Sequence, residues 1–252
     1  MSASGAFALS PDGSTDPNAT AGACQRPTLR WRQASAQLHD DWLADEVPVA
    51  LVVNGISHAV MMATPCDLAD FALGFAYTEG LIAQANDLYS VEVRTVPQGI
   101  ALELTVSSEM AWRLRERRRT LAGRTGCGLC GTDSLDEVQR VVQPVQAVSV
   151  PHTALNRANE TLRAHQRLQQ LTGATHAAAW CDLQGELLVV REDVGRHNAL
   201  DKLIGHLLAE AFDPASGFVL VTSRASFEMV QKAALVGMGV LAAASAPTAL
   251  AV

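Results

Sequence analysis

The chain has 252 residues, a formal net charge of -7 at pH 7 and 48% hydrophobic residues. That length can bury a sizeable core, while the acidic balance argues against nucleic acid as a partner. No run approaches the roughly 18 apolar residues that a membrane-spanning helix needs, and MSASGAFALSPDGS lacks the basic region and apolar stretch of a secretory signal, so a cytoplasmic protein is expected.

Residues 1–27 are rich in Ser, Ala, Gly, Pro and Asp without periodicity and read as a disordered leader that includes Cys24. Order is expected from Thr28. Val47 to Val53 and Ile56 to Ala63 are β-rich runs around Asn54-Gly55, a strong hairpin signal. Asp67 is expected to cap a helix with Leu68, Phe71, Ala72 and Phe75 spaced along one face, and Gly80 would stop it. Leu88 to Val96 and Ile100 to Val106 form a second expected hairpin around Pro97-Gln98-Gly99. Positions 28–110 therefore read as a small α+β unit.

An arginine-rich linker and a cysteine loop occupy 111–133. Six arginines (Arg113, Arg115, Arg117, Arg118, Arg119, Arg124) precede Gly126-Cys127-Gly128-Leu129-Cys130-Gly131. Ser134 with Glu137 matches a capping box. A thiol reacts as its thiolate, which cationic neighbours and a helix N-terminus favour, and flanking glycines allow sharp turns and close approach.

From 134 to 252 the pattern alternates as in a layered α/β domain. Thr153 to Leu171 reads as a helix ended by Gly173; His176 to Cys181 and Glu186 to Val190 as strands; Asn198 to Phe212 as a helix. Phe218 to Thr222 reads as a strand, Ser226 to Met238 as a helix, and Val240 onward as a buried strand, with Pro247 at the start of a further element.

Three stretches carry candidate chemistry. The Cys127/Cys130 pair fits dithiol oxidoreductases, half of a zinc site, or a sulfur carrier. A second CxxC is missing from the sequence and the other three cysteines are isolated, so zinc is disfavoured. Arg191-Glu192-Asp193-Val194-Gly195-Arg196-His197-Asn198-Ala199-Leu200-Asp201-Lys202 leaves a strand and enters a helix, where α/β proteins bind ligands. His197 is a candidate proton donor or acceptor with Asp193 fixing its tautomer; the alternative is that Asp193 caps the helix and His197 is simply satisfied. Asp201 and Lys202 read as surface or interface charges. Thr222-Ser223-Arg224-Ala225-Ser226-Phe227-Glu228 also joins a strand to a helix. Ser226 is a good N-cap there, and free amides beside Arg224 could hold a phosphate.

GCGLCG, THAAAWCDLQGELLVVREDVGRHNALDKLIG and TSRASFEMVQKA, in that order and spacing, resemble the FdhD family of formate dehydrogenase accessory sulfurtransferases over about 28–252. The resemblance implies that persulfide sulfur is accepted from a cysteine desulfurase. It is then passed to the bis(molybdopterin guanine dinucleotide) molybdenum cofactor of formate dehydrogenase. The persulfide would form on Cys127, with Cys130 assisting. A cytidine-deaminase-like α/β core without zinc or any permanently bound cofactor, a homodimer, and a site for the guanine-nucleotide end of the cofactor are further implications. Arg224, Ser226, Asp193, His197 and Asn198 are the candidate cofactor-binding residues. Family members usually continue past position 252 with a strand and a Gly/Arg-rich loop that contributes to that site. The rival readings are a CxxC dithiol oxidoreductase and a non-catalytic cofactor-binding chaperone.

Overall fold

The computed structural model describes residues 21–32, 35–112 and 142–252. The arginines from Arg113 to Arg124, the Cys127/Cys130 loop, the helix expected from Ser134 and most of the expected leader lie outside these residues. The described residues form a mixed α/β structure built on three sheets.

Strands β1 (Ala23–Arg32) and β2 (Ser35–Ala44) pair antiparallel as a separate two-stranded sheet. Cys24 thus lies in a strand, ahead of the Thr28 at which order was expected to begin. β3 (Val47–Val53) and β4 (Ile56–Ala63) form the expected hairpin, and Asn54 and Gly55 at its tip adopt φ of 45° and 78°. Two consecutive positive φ values are what a type I′ turn requires, and Asn-Gly tolerates them.

Helix α1 (Leu68–Thr78) follows. Asp67 occupies its N-cap in a left-handed conformation without a side-chain capping bond. β5 (Leu88–Val96) and β6 (Gly99–Val106) complete a four-stranded sheet of order β4-β3-β6-β5, with β3 and β6 parallel. Alternate residues of β3 and β6 (Val49, Leu51, Leu102, Leu104) point inward onto Phe71, Ala72 and Phe75 of α1.

The second half is layered. Helix α2 (His152–His165) and the short α3 (Arg167–Thr172) replace the single helix expected over 153–171; the chain leaves helical geometry at Gln166. β7 (His176–Asp182), β8 (Leu187–Asp193), β9 (Gly217–Arg224) and β10 (Leu241–Ser245) form a sheet of order β10-β9-β7-β8. β7 runs antiparallel to both neighbours, and β9 and β10 are parallel. β10 is an edge strand and only partly buried, not the buried strand expected from its composition.

Helices α4 (Arg196–Ala209) and α5 (Phe227–Leu235) cover one face of this sheet, and α2 covers the other. The two units meet where α1 crosses α4. A Cβ on Gly74 would lie 1.8 Å from the Asp201 carbonyl oxygen, and one on Gly205 would lie 1.9 Å from the Asp70 carbonyl oxygen. Only glycine permits backbones to approach so closely. Among the described residues no helix is long and apolar enough to cross a membrane.

Candidate functional site

The Arg191–Lys202 string is mostly consumed by the fold. The Arg191 guanidinium pairs with Asp70 of α1 (Nε to Oδ2 2.9 Å). The Glu192 carboxylate accepts from the amides of Leu168 and Gln169 (2.8 Å each) and from Thr175 Oγ1 (2.9 Å), so it caps α3 from a neighbouring strand. Asp193 is fully buried. Its Oδ2 accepts from the Thr64 amide (3.0 Å) and pairs with Lys202 Nζ (2.7 Å), while its Oδ1 accepts from the Gly195 amide (2.8 Å) and Asn198 Nδ2 (3.0 Å). Asn198 Nδ2 also donates to the Met62 carbonyl (2.8 Å). Asp193 and Asn198 therefore grip the end of β4 and the residue that follows it.

Asp201 and Lys202 are buried, against the expectation that they are surface or interface charges. Lys202 is 0% exposed and donates to the Thr64 carbonyl (2.9 Å) and the Glu192 carbonyl (3.3 Å). Asp201 accepts from Thr78 Oγ1 (2.8 Å) and receives the Lys232 ammonium on both oxygens (2.9 Å each). Lys232 also reaches Glu79 at 3.1 Å. A charge leaves water only when partners meet it: those of Asp201 come from the end of α1 and from α5, and those of Lys202 from β8 and Thr64 after β4. Local sequence holds no sign of them, because Thr64 and Thr78 lie more than a hundred positions away.

What the fold does not consume lies at one edge of the β10-β9-β7-β8 sheet, where β8 and β9 both end and α4 and α5 both begin. His197 Nε2 stands 2.7 Å from Glu228 Oε2, bridging the first turns of the two helices. The pair is out of line for hydrogen bonding. Nε2 is therefore one of three buried polar atoms without a hydrogen-bond partner among the described residues, with Arg196 Nε and Ser226 Oγ. Ser226 is the N-cap of α5, as expected, but its hydroxyl makes no capping bond. Arg224 projects into solvent at the end of β9, opposite Ser245 of β10.

Burial lowers the His197 pKa, the Arg196 and Lys232 charges lower it further, and Glu228 and Asp201 oppose them. His176, at the start of β7 and opposite Asp193, is lowered by burial first and by Arg196 second. Both imidazoles are held below their ordinary range, and the edge around them carries hydrogen-bond donors and two guanidinium groups.

Of the predicted cofactor-binding residues, His197, Arg224 and Ser226 belong to this edge, while Asp193 and Asn198 brace it from beneath. Arg196, part of the polar string read from the sequence but not among the cofactor-binding candidates, and His176, not singled out there, also belong to it. Arg196 adjoins His197 at a helix start; His176 had no signal, because only strand pairing brings it beside Asp193.

None of the three described cysteines is a ready nucleophile. Burial pushes the Cys181 thiol up to about 12 and the Cys66 thiol to about 11, the nearby Lys202 ammonium only partly opposing the latter. Cys24 is also raised, by burial first and by Asp45 second. Among the described residues no group of three or more His, Cys, Asp or Glu side chains is placed to hold a metal ion.

Comparison with known proteins gives a consistent result. The sequence pattern of the FdhD/NarQ family matches residues 44–252. The chain is 57% identical over 241 residues to the sulfur carrier protein FdhD of Cupriavidus necator, spanning 93% of this chain and 84% of that one. It is 56% identical over 220 residues to the sulfur carrier protein FdhD of Bordetella petrii, spanning 86% and 78%. Its fold matches the crystal structure of a putative formate dehydrogenase accessory protein from Desulfotalea psychrophila, with a TM-score of 0.71 at 23% identity over 91% of this chain and 87% of that one. A pattern covering most of the chain, together with relatives more than half identical along nearly all of it, establishes that this chain belongs to the FdhD/NarQ family.

Proposed function

We propose that this protein is a sulfur carrier that takes persulfide sulfur from a cysteine desulfurase onto Cys127 and delivers it to the bis(molybdopterin guanine dinucleotide) molybdenum cofactor of formate dehydrogenase. The observation that carries this reading is the close identity to relatives named as sulfur carriers. Thiol chemistry supports the choice of residue. A nucleophilic sulfur must ionise near neutral pH, and burial holds Cys24, Cys66 and Cys181 away from that state. Cys127 and Cys130 remain, with six arginines close before them in sequence. A persulfide is anionic at neutral pH, and nearby guanidinium groups favour it.

The cofactor is cargo, and the edge formed by Arg196, His197, Arg224 and Ser226 suits its nucleotide phosphates. Guanidinium groups bind phosphate oxygens in pairs, and the N-terminus of α5 offers amides beside the Ser226 hydroxyl. Asp193 and Asn198 hold the turn that presents Arg196 and His197. We also read the second half as a cytidine-deaminase-like core without zinc, since an antiparallel β7 between β8 and β9 and a parallel β9-β10 pair fit that layering. Donor and acceptor proteins, a homodimer and a cytoplasmic location complete the proposal.

Mass spectrometry of the protein after incubation with a cysteine desulfurase and cysteine tests it. A sulfur adduct on Cys127 is expected. An internal Cys127–Cys130 disulfide alone would make the protein a dithiol oxidoreductase, and an unmodified pair would make it a cofactor-binding chaperone.

A further inference from the structure

Glu228 is out of place in a site for an anion. It lies in the first turn of α5, on the same edge as Arg224 and Ser226, and its side chain is 62% exposed. A carboxylate near a helix N-terminus is favourable in itself, yet here it also stands 2.7 Å from His197 Nε2. It does so without the alignment of a hydrogen bond, and Ser226 Oγ and Arg196 Nε remain unpartnered. The carboxylate thus lies against one donor of the edge, His197 Nε2, without satisfying it.

We propose that Glu228 is the selectivity gate of this edge: its carboxylate holds the position on His197 that a phosphate oxygen takes when the site is filled, and only a ligand able to displace it enters. The inference rests on the reading of the edge as a phosphate site. Displacement is open to Glu228 because no described hydrogen bond anchors it and its side chain faces solvent. A neutral or weakly charged group cannot compete with a carboxylate for an imidazole flanked by a guanidinium. A pyrophosphate can, since it brings more charge and several acceptors at once to Arg196, His197 and Ser226. The groups facing His197 are Arg196 and Asp201 on α4 and Glu228 and Lys232 on α5.

The test is calorimetric binding of GDP to the full chain and to its Glu228→Gln and Arg224→Ala variants, with NMR titration of the His197 imidazole in each. Glu228→Gln keeps shape and removes the competing charge, so GDP should bind roughly three- to tenfold more tightly at low salt. His197 should titrate lower in the free variant than in the free native protein, because Glu228 is one of the charges raising it. With GDP bound the two proteins should share one His197 titration, the phosphate supplying the anion in both. Binding by Glu228→Gln where the native chain shows none would support the gate most strongly. If the native chain binds GDP and Arg224→Ala weakens it, but Glu228→Gln binds no better, the gate is wrong and the phosphate site stands. If neither the native chain nor Glu228→Gln binds GDP, the phosphate site is wrong and the gate goes with it.

Discussion

Lys202 is the most demanding residue of the signature string. Its ammonium is out of water, with the Asp193 carboxylate at 2.7 Å, two backbone carbonyls and, at 3.7 Å, Cys66 Sγ around it. Removing one member of a buried pair strands the other, at a cost of about 3–5 kcal/mol. Lys202→Met is therefore expected to lower the unfolding free energy by that much and the denaturant midpoint with it, measured by equilibrium unfolding. A surface charge would change it little. His176 and His197 set the response to acid. Both pKa values are lowered on folding, so the unfolded chain binds protons more readily and stability falls with pH. The loss should begin as pH drops through about 6.5, where free imidazole titrates. Unfolding midpoints measured between pH 8 and pH 5 should decline in that window, and His176→Gln with His197→Gln should flatten the decline.

At the scale of elements, the crossing of α1 and α4 joins the two units. Gly74→Ala and Gly205→Ala each force a methyl group into a backbone carbonyl, and overpacking of this kind typically costs about 1–3 kcal/mol. Each variant should unfold at a lower temperature, and the pair together should cost less than the sum, since a helix already pushed away by one methyl group admits the second. The hairpins and helices were legible because period and punctuation specify them locally: Asn54-Gly55 marks its turn and Gly173 its helix end. Their long-range partners were not legible. Asp201 and Lys202 read as surface charges because charged residues in helices usually face water, and nothing near them in sequence announces Lys232 or Thr64. The same limit hid the role of Glu192, whose carboxylate caps a helix more than twenty positions earlier. The break at Gln166 was missed because its apolar spacing continues through it.

At the scale of the molecule, burial raises the pKa of all three described cysteines, and the unpartnered buried polar atoms among the described residues collect at one sheet edge. On the proposed function, sulfur handling would fall to Cys127 and phosphate recognition to the edge of His197, Arg224 and Ser226, well apart in the sequence. This separation predicts that Arg224→Ala weakens GDP binding without reducing the sulfur loaded onto Cys127, as read by mass spectrometry. The most direct test of the carrier role follows a labelled atom. Protein charged with radiolabelled sulfur by a desulfurase is mixed with formate dehydrogenase matured in the absence of this chain. Label is expected on the molybdenum cofactor together with a gain of formate oxidation, and Cys127→Ala should give neither. Label that stays on this chain while activity rises would contradict the account.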